Sequence, residues 1–176
     1  MDINTFFTMN EGNWISQKTS YHPNLKKHIT KKGKILITET TNNTNMREKI
    51  KLNNINLNNN TIKSYTVNKE QDKKTNSTII IANENKYENY KQQGKIYLFN
   101  KKLNNKLLEG IFQIEKEVFT IIIKDGQFEA EEKIWFVNPN LKLTNSIVRH
   151  KKNCINISFT SEIKIQIKKF EDNNKN

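Results

Sequence analysis

The chain has 176 residues and a formal net charge of +12 at pH 7, a length that makes one domain burying roughly two thirds of the surface its unfolded form exposes. Its single cysteine, Cys154, excludes an intramolecular disulfide framework and a cysteine-based zinc site. No run of roughly 18 apolar residues is present to span a membrane as a helix. The positive charge suggests a nucleic-acid partner at first sight, but every basic residue except Arg47 and Arg149 is lysine, and Lys, Asn and Ile make up 81 of the 176 residues. AT-rich coding produces that bias without a partner, so most surface lysines read as a solvated coat whose field still attracts acidic ligands. The start MDINTFF lacks the blocks of a secretory signal and is not a Ser-rich, Arg-rich transit peptide.

Asp2 is placed to cap a short helix in which Ile3, Phe6 and Phe7 fall at i, i+3 and i+4. Two turns do not stand alone in water, so the two aromatics need something to pack on, such as the open end of a sheet or barrel. Gly12-Asn13-Trp14 releases the chain into WISQKTSY, where Trp14, Ser16, Lys18 and Ser20 share one side. Tyr21-His22-Pro23 ends that strand, because proline restricts the residue before it and donates nothing to a ladder. A Lys-rich turn is expected over 26–34, then a strand in ILITET at 35–40. Asn45 with Glu48 predicts a second short helix through Met46 and Ile50. Residues 53–60 read as low-complexity loop.

Further strands are predicted at 61–67, 76–82, 95–99, 109–115 and 118–123, joined by polar segments such as KEQDKKT and NENKYENYKQQ that read as surface loops. From Phe128 onward, Phe128, Ala130, Glu132, Ile134 and Phe136 alternate with Gln127, Glu129, Glu131, Lys133 and Trp135, which puts Glu132 on an apolar strand face. An unpaired carboxylate there costs several kcal/mol, so it is protonated, paired, or open to a water-filled cavity. Tipping a strand end or a structural pair with a lysine is the plain alternative. After the turn Asn138-Pro139-Asn140, Lys142, Thr144 and Ser146 form a polar row. A three-residue loop pairing Val137 with Leu141 sets Glu132 opposite Ser146, whereas a two-residue loop sets it opposite Ile147. The last strand, 154–168, keeps period two from Ile155 to Ile167.

Sequential strands without crossover helices favour an all-β antiparallel up-and-down barrel of about ten strands, with two short helices, and closure removes otherwise exposed edges. The domain is expected over 1–167, with 168–176 a frayed tail. Barrels of roughly eight to ten strands can hold one small ligand. Ser16, Lys18, Tyr65, Glu132, Lys142, Thr144 and Ser146 would line a cavity too polar to be mere core. There is no phosphate loop, His-Glu-x-x-His, Cys-x-x-Cys or Gly-x-Ser-x-Gly, and His22, His28 and His150 lack metal-site spacing.

These residues resemble the S-type (CpcS/CpeS) phycobiliprotein lyases, which are lipocalin-like barrels. MDINTFFTMNEGNWISQKTSYH is similar to the family's opening with its Gly-x-Trp, and EEKIWFVNPNLKLTNS to its most specific motif, an acidic pair, Trp-Phe, Pro-Asn-Leu and two spaced arginines before a serine. The spacing in 110–156 and Ser161-Glu162-Ile163 also fit. The resemblance implies that a linear tetrapyrrole, phycocyanobilin or phycoerythrobilin, is bound as substrate, with no separate cofactor, and delivered to a cysteine of an apo-phycobiliprotein as a thioether. By position it makes Glu132 the acid near the pyrrole nitrogens and Lys142 the holder of a propionate. Ser146 matches the motif's serine, Tyr65 stands about where the family has tryptophan, and Lys18 where relatives tend to carry arginine. Thr144 replaces the second arginine, which opens the alternative of a non-catalytic carrier or regulatory subunit. The dominance of Lys, Asn and Ile would suit a plastid-encoded member, acting alone, as a homodimer, or as a heterodimer with a sister lyase subunit, while the two arginines and the lack of an aromatic stacking platform at strand spacing speak against a nucleic-acid partner, and the lack of a long apolar run against a membrane one.

Overall fold

The computed structural model describes residues 1–40, 62–71, 74–88, 91–100 and 106–165. Among them one helix, α1 (Ile3–Asn10), precedes ten strands: β1 (Gly12–His22), β2 (Lys27–Glu39), β3 (Ile62–Gln71), β4 (Lys74–Glu88), β5 (Lys91–Asn100), β6 (Lys106–Glu115), β7 (Val118–Asp125), β8 (Phe128–Asn138), β9 (Leu141–His150) and β10 (Asn153–Ile165). Each strand pairs antiparallel with its sequence neighbours, and β1 pairs with β10, so the sheet closes into the expected up-and-down barrel. The second helix expected from Asn45, and the tail at 168–176, lie outside the described residues.

The strands run further than their apolar patterns. The Lys-rich stretch expected as a turn over 26–34 is instead most of β2, paired with β1 from His22↔Lys27 onward. The polar segments expected as loops after 67 and 82 continue β3 and β4 and begin β5. Ladder hydrogen bonds use the backbone alone, and outward polar side chains remain in water, so polarity does not end a strand here.

Helix α1 closes one end of the barrel. Asp2 caps it as expected, its Oδ1 accepting from the Thr5 N–H at 2.8 Å. Phe6 stacks on Phe119 with ring centroids 4.1 Å apart, and Phe7 on Tyr65 at 4.2 Å. Full burial of two such rings contributes about 1.5–3 kcal/mol each, which fixes a helix too short to persist alone. The Ile3 N–H donates to Gln92 Oε1 at 2.6 Å, tying the helix start to β5. At its other end Gly12, with φ +115°, makes a bend that residues with a Cβ rarely adopt. Trp14 is thereby turned fully inside, where its Nε1–H donates to Asn10 O at 2.8 Å.

The core fills the α1 end, with Ile35, Ile37, Val67, Ala82, Ile96, Phe112, Ile114 and Ile121 beneath the helix aromatics. At the other end of the barrel, here termed the mouth, lie the described β1–β2, β7–β8 and β9–β10 turns, the first of them a turn of 3-10 helix at Pro23–Leu25.

Candidate functional site

A cavity of about 260 Å³ runs inside the barrel from the floor under α1 toward the mouth. Its two sides differ in chemistry. Ile35, Ile37, Val67, Ile80 and Ile121 form a mainly apolar wall on β2, β3, β4 and β7, which Lys34, Lys69 and Glu70 also line, while Ser16, Lys18, Glu132, Lys142, Thr144, Ser146, Thr160 and Glu162 form a mainly polar wall on β1, β8, β9 and β10 beside Ile134.

The polar wall follows from register. Glu132 pairs with Ser146, Ser146 with Ser158, Thr144 with Thr160 and Lys142 with Glu162. The hairpin reaches this alignment in a way that neither simple loop provides. Asn138 pairs with Leu141 across a two-residue turn, and a bulge at Val137 shifts the register by one, so Phe136 meets Lys142 and Glu132 meets Ser146. The Asn138 side chain secures the turn by accepting from the Asn140 N–H at 2.8 Å.

At the floor, Lys142 Nζ lies 2.7 Å from Glu162 Oε2, with both side chains buried. The same ammonium donates to Asn10 Oδ1 at 2.5 Å and stands over the Trp14 ring, 4.5 Å from its centroid. Lys164 approaches the same ring at 5.0 Å and donates to Met9 O at 2.8 Å. Burial pushes the Lys142 ammonium below its ordinary pKa, and Glu162 opposes that shift. Lys142 therefore lines the cavity, but its charge is committed to Glu162 and to the helix cap.

Higher in the cavity lie Lys18 and Glu132. Burial lowers the Lys18 pKa, the Glu132 carboxylate raises it, and the ammoniums of Lys69 and Lys31 lower it again. Among the described residues no ion pair or direct hydrogen bond engages Glu132, so it is the carboxylate of this wall that remains available. Ser158, inward and directly across from Ser146, carries a buried hydroxyl without a partner among the described residues.

Seven residues were expected to converge on the cavity, and Ser16, Lys18, Glu132, Lys142, Thr144 and Ser146 do. Tyr65 does not: it is fully buried against Phe7 in the core under α1, outside the cavity lining. Its hydroxyl has no partner among the described residues, and burial holds its pKa far above the usual phenol value. Sequence reasoning missed Asn10, Thr160 and Glu162. A signal for the last two was present in the alternation of Ser158, Thr160 and Glu162 through β10, masked by the isoleucines between them.

The comparisons with known proteins fit this geometry. A sequence model of the CpeS-like protein family matches residues 2–165. A chromophore lyase CpcS/CpeS homolog of Porphyra purpurea is 27% identical over 165 residues, covering 92% of this chain and 97% of that protein. The chromophore lyase CpcS/CpeS of Thermosynechococcus vestitus is 25% identical over 185 aligned positions, covering 95% and 94%. Among solved structures, the S-type phycobiliprotein lyase CPES from Guillardia theta matches with a TM-score of 0.74 at 20% identity over 96% of this chain and 95% of that one, a likeness of fold. With the family matched from the helix cap to the end of β10, the chain belongs to the CpeS-like protein family.

Proposed function

We propose that this protein is a phycobiliprotein chromophore lyase, which binds phycocyanobilin or phycoerythrobilin in the barrel cavity and passes it to a cysteine of an apo-phycobiliprotein. The observation that carries the reading is a cavity with an apolar and a polar wall, the polar one presenting an uncommitted carboxylate, Glu132, opposite Ser146 and close to Lys18. A linear tetrapyrrole has the matching two-sidedness: flat apolar ring faces, a line of pyrrole nitrogens, and two propionates.

In this reading the isoleucine wall takes the ring faces, and the Glu132 carboxyl hydrogen-bonds the pyrrole nitrogens and exchanges a proton with them. A protonated ring system is the better electrophile for the acceptor's thiolate. Thioether formation is then an addition, the thiol's sulfur going to an A-ring carbon and its proton to the tetrapyrrole, with no leaving group and no redox partner. Lys18, whose ammonium is half-desolvated and surrounded by other cations, is the cation for a propionate. That role passes to it from Lys142, because Lys142 is held at the floor by Glu162 and Asn10. Cys154 is half-buried, its thiol directed to Asn156 O at 3.8 Å, and takes no part.

Purified protein mixed with each bilin, with and without apo-phycobiliprotein, tests the reading by absorbance and by covalent bilin fluorescence on a denaturing gel. Acceptor labelling that requires this protein is expected. A shifted spectrum without labelling would make it a carrier or half of a heteromeric pair, a reading that Thr144 and the committed Lys142 favour. No shift would remove both.

A further inference from the structure

The two ends of the barrel differ in charge. At the α1 end, the described helix cap and strand connections carry Asp2, Glu11, Glu39, Glu115 and Glu117 around Lys116. At the mouth, the β1–β2 turn carries Lys26 and Lys27, and the β9–β10 turn carries Lys151 and Lys152. These four lysines are exposed, and no ion pair among the described residues engages their ammoniums. Lys124 and Arg149 beside them are already matched by Glu129 and Glu131. The two turns are neighbours, because β1 pairs with β10 at Tyr21↔Ile157 and the 3-10 turn packs on β10.

Apolar side chains stand among these charges. Leu25 is 72% exposed, and Phe128, stacked on His150 at 4.6 Å, is 50% exposed beside a recess of about 380 Å³ bounded by Lys124, Arg149, Lys151 and Lys152. Exposed apolar side chains beside the four unpaired lysines, with the matched Lys124, Glu129 and Arg149 between them, form a surface suited to an acidic protein partner. The turn itself is not built for stability. Lys151 and Lys152 both have positive φ, 49° and 70°, in a two-residue hairpin turn that Asn-Gly fits with less strain.

We propose that this rim of the mouth is the docking surface for the acceptor protein, with Lys26, Lys27, Lys151 and Lys152 meeting carboxylates around the acceptor's cysteine and Leu25 and Phe128 meeting its apolar side chains. The inference rests on the lyase reading, in which the pigment leaves the barrel toward its acceptor. A cavity of about 260 Å³ is too small to enclose a four-ring pigment, so part of the pigment stands at this rim. A second copy of the chain would bring like charges together here, whereas an acidic protein surface is steered to it.

The test uses full-length protein, apo-phycobiliprotein and phycocyanobilin. Lys151→Glu with Lys152→Glu is expected to keep the bilin spectral shift while the acceptor concentration for half-maximal transfer rises about tenfold or more. Lys151→Asn with Lys152→Gly should raise Tm and still impair acceptor use, which separates docking from folding. Lys116→Asn with Glu117→Gly, the equivalent turn at the α1 end with φ of 48° and 64°, should raise Tm and leave acceptor use unchanged. Calorimetry of apo-acceptor with this protein, without bilin, tests the rim apart from any chemistry. Binding that weakens from about 50 to about 300 mM salt, and is lost in the charge-reversed variant, supports the rim. Equal affinity of wild type and reversed variant overturns it. Absence of labelling by wild type, with the rim-dependent binding intact, would count against the lyase reading and leave the docking surface standing.

Discussion

The two halves of the barrel wall obey opposite rules. Across β2 to β7 inward positions are mainly apolar, among them Ile35, Val67, Ile96, Phe112 and Ile121, as in any filled barrel. Through β9, β10 and β1 the pattern is inverted: Lys142, Thr160, Glu162 and Ser16 are buried, while Ile15, Phe159 and Ile163 face water, Ile163 being 58% exposed. Strand β8 carries both rules, with Ile134 and Phe136 inward near the helix and Glu132 inward toward the mouth. An inverted wall forfeits apolar burial and desolvates charge, so it persists where closure of the sheet and a helix cap hold it. It also leaves a polar cavity surface that an ordinary core cannot present.

Breaking the buried pair tests this inversion most severely. Lys142→Met leaves Glu162 buried and unpaired and should cost about 3–5 kcal/mol in urea unfolding, whereas Lys142→Met with Glu162→Leu should recover most of the loss. A double variant as unstable as the single would mean that the pair supplies more than mutual neutralisation. On the ordinary wall Ile121→Ala should cost about 2–5 kcal/mol, while Ile163→Ala on the outer face of the inverted wall should cost under about 0.5 kcal/mol. Similar costs would show that the outward isoleucines are not surface residues in solution.

Thr144→Arg places a fork-shaped donor on the polar wall and is expected to tighten bilin binding about tenfold, read by absorbance titration. No change would show that Lys18 already satisfies the propionate. The smallest effect is alkaline. Lys18 has a depressed folded pKa, so its contribution to stability is present above the unfolded value of about 10.4 and lost as pH falls through the folded value. Tyr65 in the apolar half has a raised one, so its contribution is intact below the unfolded value of about 10 and lost as pH rises beyond it. Lys18→Met should abolish the first slope and Tyr65→Phe the second, each followed by chemical unfolding between about pH 9 and 11.

Much of this was legible in the chain. Apolar runs and period-two patterns located part of every described strand, Asp2 announced its helix, and Glu132 stood out as an acid on an apolar face. Strand ends were not legible, because ladder bonds are blind to the polar side chains of Lys27–Lys34. The direction of β10 was also hidden. Its isoleucines suggest the core-facing side, and only pairing with β1 and β9 shows that Ser158, Thr160 and Glu162 point inward. Tyr65 was read as a ligand contact because its position follows the family's tryptophan, yet Phe7 packs over it. The family motif makes Lys142 the expected propionate holder, and nothing local reveals its partner Glu162, twenty residues away on the next strand.

In the proposed function Glu132 is the working acid of the inverted wall. Covalent transfer of phycocyanobilin and of phycoerythrobilin to apo-phycobiliprotein, compared between wild type and Glu132→Gln alongside the bilin absorbance of each, tests it most directly. Glu132→Gln is expected to bind bilin still and to label the acceptor about 10²–10⁴-fold more slowly. Labelling at the wild-type rate by Glu132→Gln would contradict it.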